Sequence, residues 1–171
     1  WMNIVKAIFG VLMLGVALWL LLRIPAVETF VESKIFTTTA TQTLPFKQIK
    51  SLQDLERELA IAKEQHKAVM LDFYADWCVA CKQMARTAFA DPQVKETLKN
   101  VVLLQADVTS NDAVARALEK QFKVVAPPTI IFFDAEGKEL ADKRIIGEMN
   151  AKEFLTFLCA RLTEMLTCQA P

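Results

Sequence analysis

From Ile4 to Leu22 the chain carries a single charged side chain, Lys6, and the stretch from Ala7 to Leu22 has no polar face. At about 1.5 Å rise per residue, such a helix approaches the ~30 Å hydrocarbon thickness of a bilayer. The pattern predicts a transmembrane helix over residues 1–24, with Trp1 and Trp19 near the interfaces and Lys6 and Arg23 snorkelling outward. A cleaved signal peptide is the rival reading. It requires a shorter apolar region and a small-x-small cleavage site, which Leu21-Leu22-Arg23-Ile24-Pro25 does not offer. Lys6 and Arg23 nearly cancel, so flanking charge sets no orientation. Residues 25–45 are expected to be a flexible linker, because Thr37-Thr38-Thr39-Ala40-Thr41-Gln42-Thr43 is polar and has no apolar period.

Residues 46–171 have the pattern of one globular domain. Phe46 to Ile49 predicts a short strand. Ser51 then opens a helix as N-cap, with Asp54 in its first turn and Leu52, Leu55 and Leu59 as its buried stripe. The nearly continuous apolar run from Ala68 to Tyr74 predicts a strand buried on both faces. Helical sequence follows to about Ala90, and Asp91-Pro92 restarts a helix to about Lys99. Val101 to Asp107 predicts another buried strand, Asn111 to Gln121 a helix, and Thr129 to Phe133 a further strand. Asp134-Ala135-Glu136-Gly137 turns the chain into a strand near Lys143 to Ile146. A last helix begins around Asn150, with Phe154, Leu158, Leu162 and Met165 on one face. This order predicts an α/β fold with a mixed central sheet covered by helices on both faces.

Charge and composition narrow the function classes. Lys+Arg and Asp+Glu are both 20, so neither a basic nucleic-acid footprint nor an acidic tail is expected. Four glycines leave no phosphate cradle, and His66 is the single histidine. The chain opens Trp1-Met2, without an initiator methionine at its first position, as expected of a fragment of a larger protein.

Four cysteines are too few for a disulfide scaffold in a chain that builds its own core. Cys78 and Cys81, however, sit three apart in the order buried strand, loop, helix. Cys78 is thereby placed at a helix N-terminus, where unpaired N–H groups and the helix dipole favour a thiolate. Cys81 lies one turn on, within disulfide reach and expected to be the more buried, so Cys78 attacks and Cys81 resolves. A half zinc site is the structural alternative, but Cys159 and Cys168 are nine apart and His66 is alone. No metal is expected.

Asp72 stands inside the apolar strand six residues before Cys78. A carboxylate there needs a reason, and proton acceptance from Cys81 supplies one. The alternative places Asp72 at a sheet edge, capping a turn. Pro128, in Pro127-Pro128-Thr129, enters a strand either as a cis residue beside the cysteine loop or as an ordinary rigid strand start. Trp77 is expected to shield the sulfurs, or else to be plain core. Cys159 is expected to be a small buried hydrophobe, and Cys168 receives no role.

Taken together, Leu71-Asp72-Phe73-Tyr74-Ala75-Asp76-Trp77-Cys78-Val79-Ala80-Cys81-Lys82 and Pro127-Pro128-Thr129-Ile130-Ile131-Phe132-Phe133 resemble the thioredoxin superfamily. Asp91-Pro92-Gln93-Val94, the run Val101 to Thr109 and Asn111-Asp112-Ala113 make residues 45–160 similar to the C-terminal domains of the DsbD thiol:disulfide interchange proteins. The resemblance implies a thioredoxin-like fold in the bacterial periplasm, tethered to the inner membrane through the N-terminal helix. It implies a protein-disulfide reductase that takes electrons from a membrane-embedded domain. Their acceptors are periplasmic disulfide proteins, ultimately disulfide isomerases and cytochrome c maturation proteins. It also implies Cys78 as the attacking cysteine, Cys81 as its partner, Asp72 as the buried acid and Pro128 as the cis-proline. Trp77, Tyr74 and Pro127 take supporting positions, and no cofactor is implied. The chain departs from the family in having one membrane helix without a cysteine pair, and in placing Pro127 before the expected cis-proline. Three other classes stand beside the reductase: a tethered oxidase or isomerase, a zinc-binding module and a client-binding adaptor. Reduction potential decides the direction of electron flow.

Overall fold

The computed structural model describes Lys6, residues 10–19, residues 44–162 and Leu166. The chain divides into two units, Trp1–Ala40 and Thr41–Pro171. In the first, residues 10–19 are helical with every side chain exposed. Among the described residues, no helix is long and apolar enough to cross a membrane. The rest of the expected helix over residues 1–24 lies outside the described residues, as does most of the expected linker over 25–45.

In the second unit five strands form one mixed sheet in the order β1-β3-β2-β4-β5. These are β1 (Lys47–Ile49), β2 (Val69–Tyr74), β3 (Val102–Asp107), β4 (Thr129–Phe133) and β5 (Ile145–Ile146). The helices are α1 (Leu52–Glu64), α2 (Val79–Arg86), α3 (Pro92–Leu98), α4 (Ala113–Phe122) and α5 (Ala151–Arg161). β1 and β2 run parallel to β3, while β4 is antiparallel to β2 and β5 to β4. A parallel β2–β3 pair requires a crossover, and α2 with α3 supplies it. β2 is central, which explains why its apolar run shows no alternation.

Alternate residues of the strands feed two cores. Leu71, Phe73, Leu104 and Ile131 pack with Leu55 of α1 and Leu118 and Phe122 of α4. On the opposite face Met70, Leu103, Ile130 and Phe132 pack with Met84 of α2, Leu98 of α3 and Phe154 and Leu158 of α5. Glu58 on α1 is buried and paired with Lys47 of β1 at 2.7 Å, which ties the edge strand to the helix beneath it.

Local chemistry starts the helices where the sequence predicts. Ser51 accepts from the Asp54 N–H, and Asp91 accepts from the N–H groups of Gln93 and Val94 ahead of Pro92. Asn150 and Glu153 form a capping box on α5. Three boundaries differ from expectation. α2 stops at Arg86 rather than near Ala90, because Phe89 turns inward and packs edge-on against Phe46 and Phe154 at 5.3 and 5.7 Å. α4 starts at Ala113, since Asn111 adopts φ 47° and Asp112 becomes the N-cap. β5 keeps only Ile145 and Ile146, the chain before it being wound into a 3-10 turn over Ala141–Lys143.

Candidate active site

β2 delivers the chain through Ala75 into a short loop, and α2 begins at Val79 with Cys78 as its N-cap. Cys78 and Cys81 are joined in a disulfide, with an S–S distance of 2.00 Å and their Cα atoms 5.3 Å apart. Cys78 Sγ also accepts a hydrogen bond from the Cys81 N–H at 3.1 Å. The first-turn amide that would stabilise a Cys78 thiolate is therefore already aimed at its sulfur. The loop is closed on itself where the Cys78 N–H donates to Ala75 O at 3.0 Å, and it is braced from outside where the Asp76 N–H donates to Thr109 Oγ1 at 2.8 Å. The expected difference in burial between the two cysteines is small. Cys78 is 6% exposed and Cys81 4%, because both half-cystines pack into the core of the α1 face.

Asp72 lies in the middle of β2, between β3 and β4, and is 2% exposed, so the sheet-edge alternative fails. Burial raises its carboxyl from 3.8 to about 6, and a hydrogen bond from Gln105 Nε2 at 2.9 Å partly opposes that rise. Asp72 and Cys81 line the same cleft of ≈ 260 Å³, together with Tyr74, Gln48 and Gln105. A buried carboxyl that titrates at about 6 and shares a cleft with Cys81 is equipped to exchange a proton with that sulfur once it is reduced.

The Pro127–Pro128 peptide is cis. Pro128 is buried and directly precedes β4, whose Thr129 pairs with Phe73 of β2. Antiparallel pairing therefore sets Pro128 at the end of the sheet from which the cysteine loop departs. Pro127 is half-buried beside it. Trp77 is 61% exposed and Val79 79%, so Trp77 is not a core residue and most of its surface meets solvent next to the disulfide. Tyr74 Oη donates to Asp76 Oδ1 at 2.9 Å, and burial together with that acidic neighbour raises its phenol above 10.0. Cys159 is half-buried and its sulfur is disulfide-bonded, which corrects the expectation of a small buried hydrophobe. Cys168 lies outside the described residues.

Gln105 and Gln48 escaped the sequence reading. Gln105 is a polar residue within a largely apolar strand, as Asp72 is, but nothing in the sequence sets the two side by side. The register of β3 on β2 does so.

A family model described as thioredoxin-like matches residues 50–135, half of the chain. The chain belongs to the thioredoxin-like family. Within it, this thioredoxin-like chain is 51% identical over 119 residues to the thiol:disulfide interchange protein DsbD of Cronobacter sakazakii. It is 50% identical over 122 residues to that of Escherichia coli strain K12. The matches take in 70% and 71% of this chain but span only 20% and 21% of those proteins. The crystal structure of the Neisseria meningitidis DsbD C-terminal domain in the oxidised form superimposes with a TM-score of 0.55 at 29% identity. That likeness covers 63% of this chain and 93% of the other. The thioredoxin-like domain thus shares its fold with the C-terminal domain of a thiol:disulfide interchange protein, and its Cys78–Cys81 disulfide has the geometry that dithiol–disulfide exchange requires.

Proposed function

We propose that this chain works as a protein-disulfide reductase, an electron carrier whose Cys78–Cys81 couple cycles between dithiol and disulfide. The observation that carries the reading is the buried Asp72 sharing a cleft with Cys81 behind a disulfide at a helix N-terminus. In the reduced form the Cys78 thiolate attacks a client disulfide, and one client sulfur leaves as thiolate. Cys81 then gives its proton to Asp72 and attacks Cys78 Sγ. The second client sulfur leaves with the electron pair, so the client gains two electrons and the Cys78–Cys81 disulfide reforms. A donor dithiol restores the reduced form by the reverse exchange.

Similarity to DsbD supports a source and a destination for those electrons: a membrane-embedded donor domain, and periplasmic thiol–disulfide proteins as acceptors. The apolar run from Ala7 to Leu22 supports a membrane anchor, and similarity to DsbD supports a bacterial inner membrane with the thioredoxin-like domain on the periplasmic side. In this arrangement Pro128 and Trp77 flank the client's path to Cys78.

Redox titration of residues 41–171 against defined dithiothreitol ratios tests the direction, with alkylation and mass spectrometry locating the bond. A single reversible Cys78–Cys81 couple at roughly −270 to −230 mV is expected of a reductase. A potential near the −120 mV of strong oxidants would reverse the flow and make the chain a tethered oxidase or isomerase. Absence of any Cys78–Cys81 couple, with stoichiometric zinc in the purified protein, would replace the redox reading by metal binding.

A further inference from the structure

Register sets Gln48 of β1 beside Gln105 of β3, and Gln105 beside Asp72 of β2. Paired positions on neighbouring strands project to the same face of a sheet, so these residues form a polar row across three strands. The row is hydrogen-bonded in one sense. Gln48 Nε2 donates to Gln105 Oε1 at 2.6 Å, and Gln105 Nε2 donates to Asp72 Oδ2 at 2.9 Å. It also runs inward from the solvent: Gln48 is exposed, Gln105 half-buried and Asp72 buried. All three line the cleft that Cys81 lines.

A primary amide has two opposite ends, and a free glutamine can turn either its NH2 or its carbonyl toward a carboxylate. Gln48 biases that choice. By donating to Gln105 Oε1, it turns the Gln105 NH2 toward Asp72. A charged carboxylate is stabilised by that donor, whereas a carbonyl in its place would favour the protonated acid.

We propose that Gln105, oriented by Gln48, is a positioning residue that prepares Asp72 to take the Cys81 proton. It engages Oδ2, leaving Oδ1 to receive the proton, and it holds the carboxylate charged inside an apolar wall until Cys81 must ionise. In the step, the Cys81 S–H bond breaks and an O–H bond forms on Asp72, while the bonding pair stays on sulfur. The thiolate attacks Cys78 Sγ, the client sulfur departs with its pair, and Asp72 later returns the proton to solvent. This inference rests on the reading of Asp72 as proton acceptor given above.

The surroundings of Asp72 leave few competitors. α2 presents Cys81 and Ala85, β2 itself presents Tyr74, and β4 sets Ile130 opposite. Leu44, Phe46 and Phe89 complete the apolar wall. Tyr74 stays neutral through the relevant range because its phenol titrates above 10.0. The Asp72 charge is therefore governed by burial and by the amide row.

The test is a titration of the Asp72 carboxyl by carbon NMR in the oxidised protein, where Cys81 bears no proton. Wild type is compared with Gln105→Leu, Gln48→Leu and the double variant, and Gln105→Met replaces Gln105→Leu if the latter does not fold. Gln105→Leu is expected to move the midpoint upward by about one unit. Gln48→Leu is expected to move it the same way by less, and to add nothing once Gln105 is gone, because Gln48 reaches Asp72 only through that amide. Unchanged midpoints in both single variants, or a Gln48→Leu effect that persists without Gln105, would overturn the proposal. The pH profile of client release from a Cys78 mixed disulfide separates the two readings. A release midpoint that follows the carboxyl supports both, whereas a carboxyl that moves without it removes Asp72 as the acceptor.

Discussion

In the role proposed for it, Asp72 has to be buried for the sheet to pack and charged to accept a proton, and these demands oppose each other. Its carboxyl lies near 6 in the fold against 3.8 for the free group. The folded state therefore binds the proton more tightly than the unfolded chain. Stability from this group is full below about 3.8 and is lost as pH rises through about 6. A gap of that size corresponds to something on the order of 3 kcal/mol, set against the charged form. Asp72→Asn removes the titration. Urea unfolding is expected to show the variant gaining on wild type by up to that amount between pH 4 and pH 8, while exchange slows at the Cys81 step. An equal stability difference at both pH values would mean the carboxyl is not perturbed by folding. The two cysteines, almost equally buried, are separated by chemistry instead of exposure. Cys81→Ser is expected to accumulate a mixed disulfide through Cys78 on non-reducing gels, and Cys78→Ser to form none; the reverse pattern would exchange their roles.

At the scale of elements, caps and periodicity were legible and ends decided by distant contacts were not. Ser51, Asp91 and Asn150 each announce a helix start through a short polar side chain ahead of an apolar period. The stop of α2 at Arg86 carries no such mark, because it arises from Phe89 entering a core formed with Phe46 and Phe154. α5 closes that core. Truncating its fully buried anchor, Phe154→Ala, is expected to cost about 3–5 kcal/mol in urea unfolding. Breaking its capping box with Asn150→Ala is expected to cost about 1 kcal/mol. A smaller loss at Phe154 than at Asn150 would show that α5 is held by its cap and not by its packing. Neither variant touches the disulfide, so the potential of the couple should stay unchanged in both.

For the whole molecule, the two units carry separable properties. Deleting residues 1–40 removes the first unit. The remaining residues 41–171 are expected to keep the Cys78–Cys81 couple and to move from the membrane to the soluble fraction on lysis. A deletion variant that still sediments with membranes would place the attachment elsewhere. The α/β class and the helices on both faces follow from apolar runs alternating with amphipathic ones, and the structure has that architecture. Strand order and register were not legible: β3 lies between β1 and β2 although it follows both in sequence. That crossing places Gln105 against Asp72, and Gln48 against Gln105.

The fold class, most helix starts and the Cys-x-x-Cys pair at the head of a helix are written locally in the chain, because each depends on residues within a few positions of one another. The chain also singles out Asp72, since a carboxylate within an apolar run is conspicuous without any neighbour in view. What surrounds that carboxylate is set by residues far from it along the chain. Gln105 is 33 positions after it, and Gln48 is 57 positions before Gln105 along the chain. Their hydrogen bonds exist because strand pairing, a long-range event that local preference does not encode, brings them to one cleft.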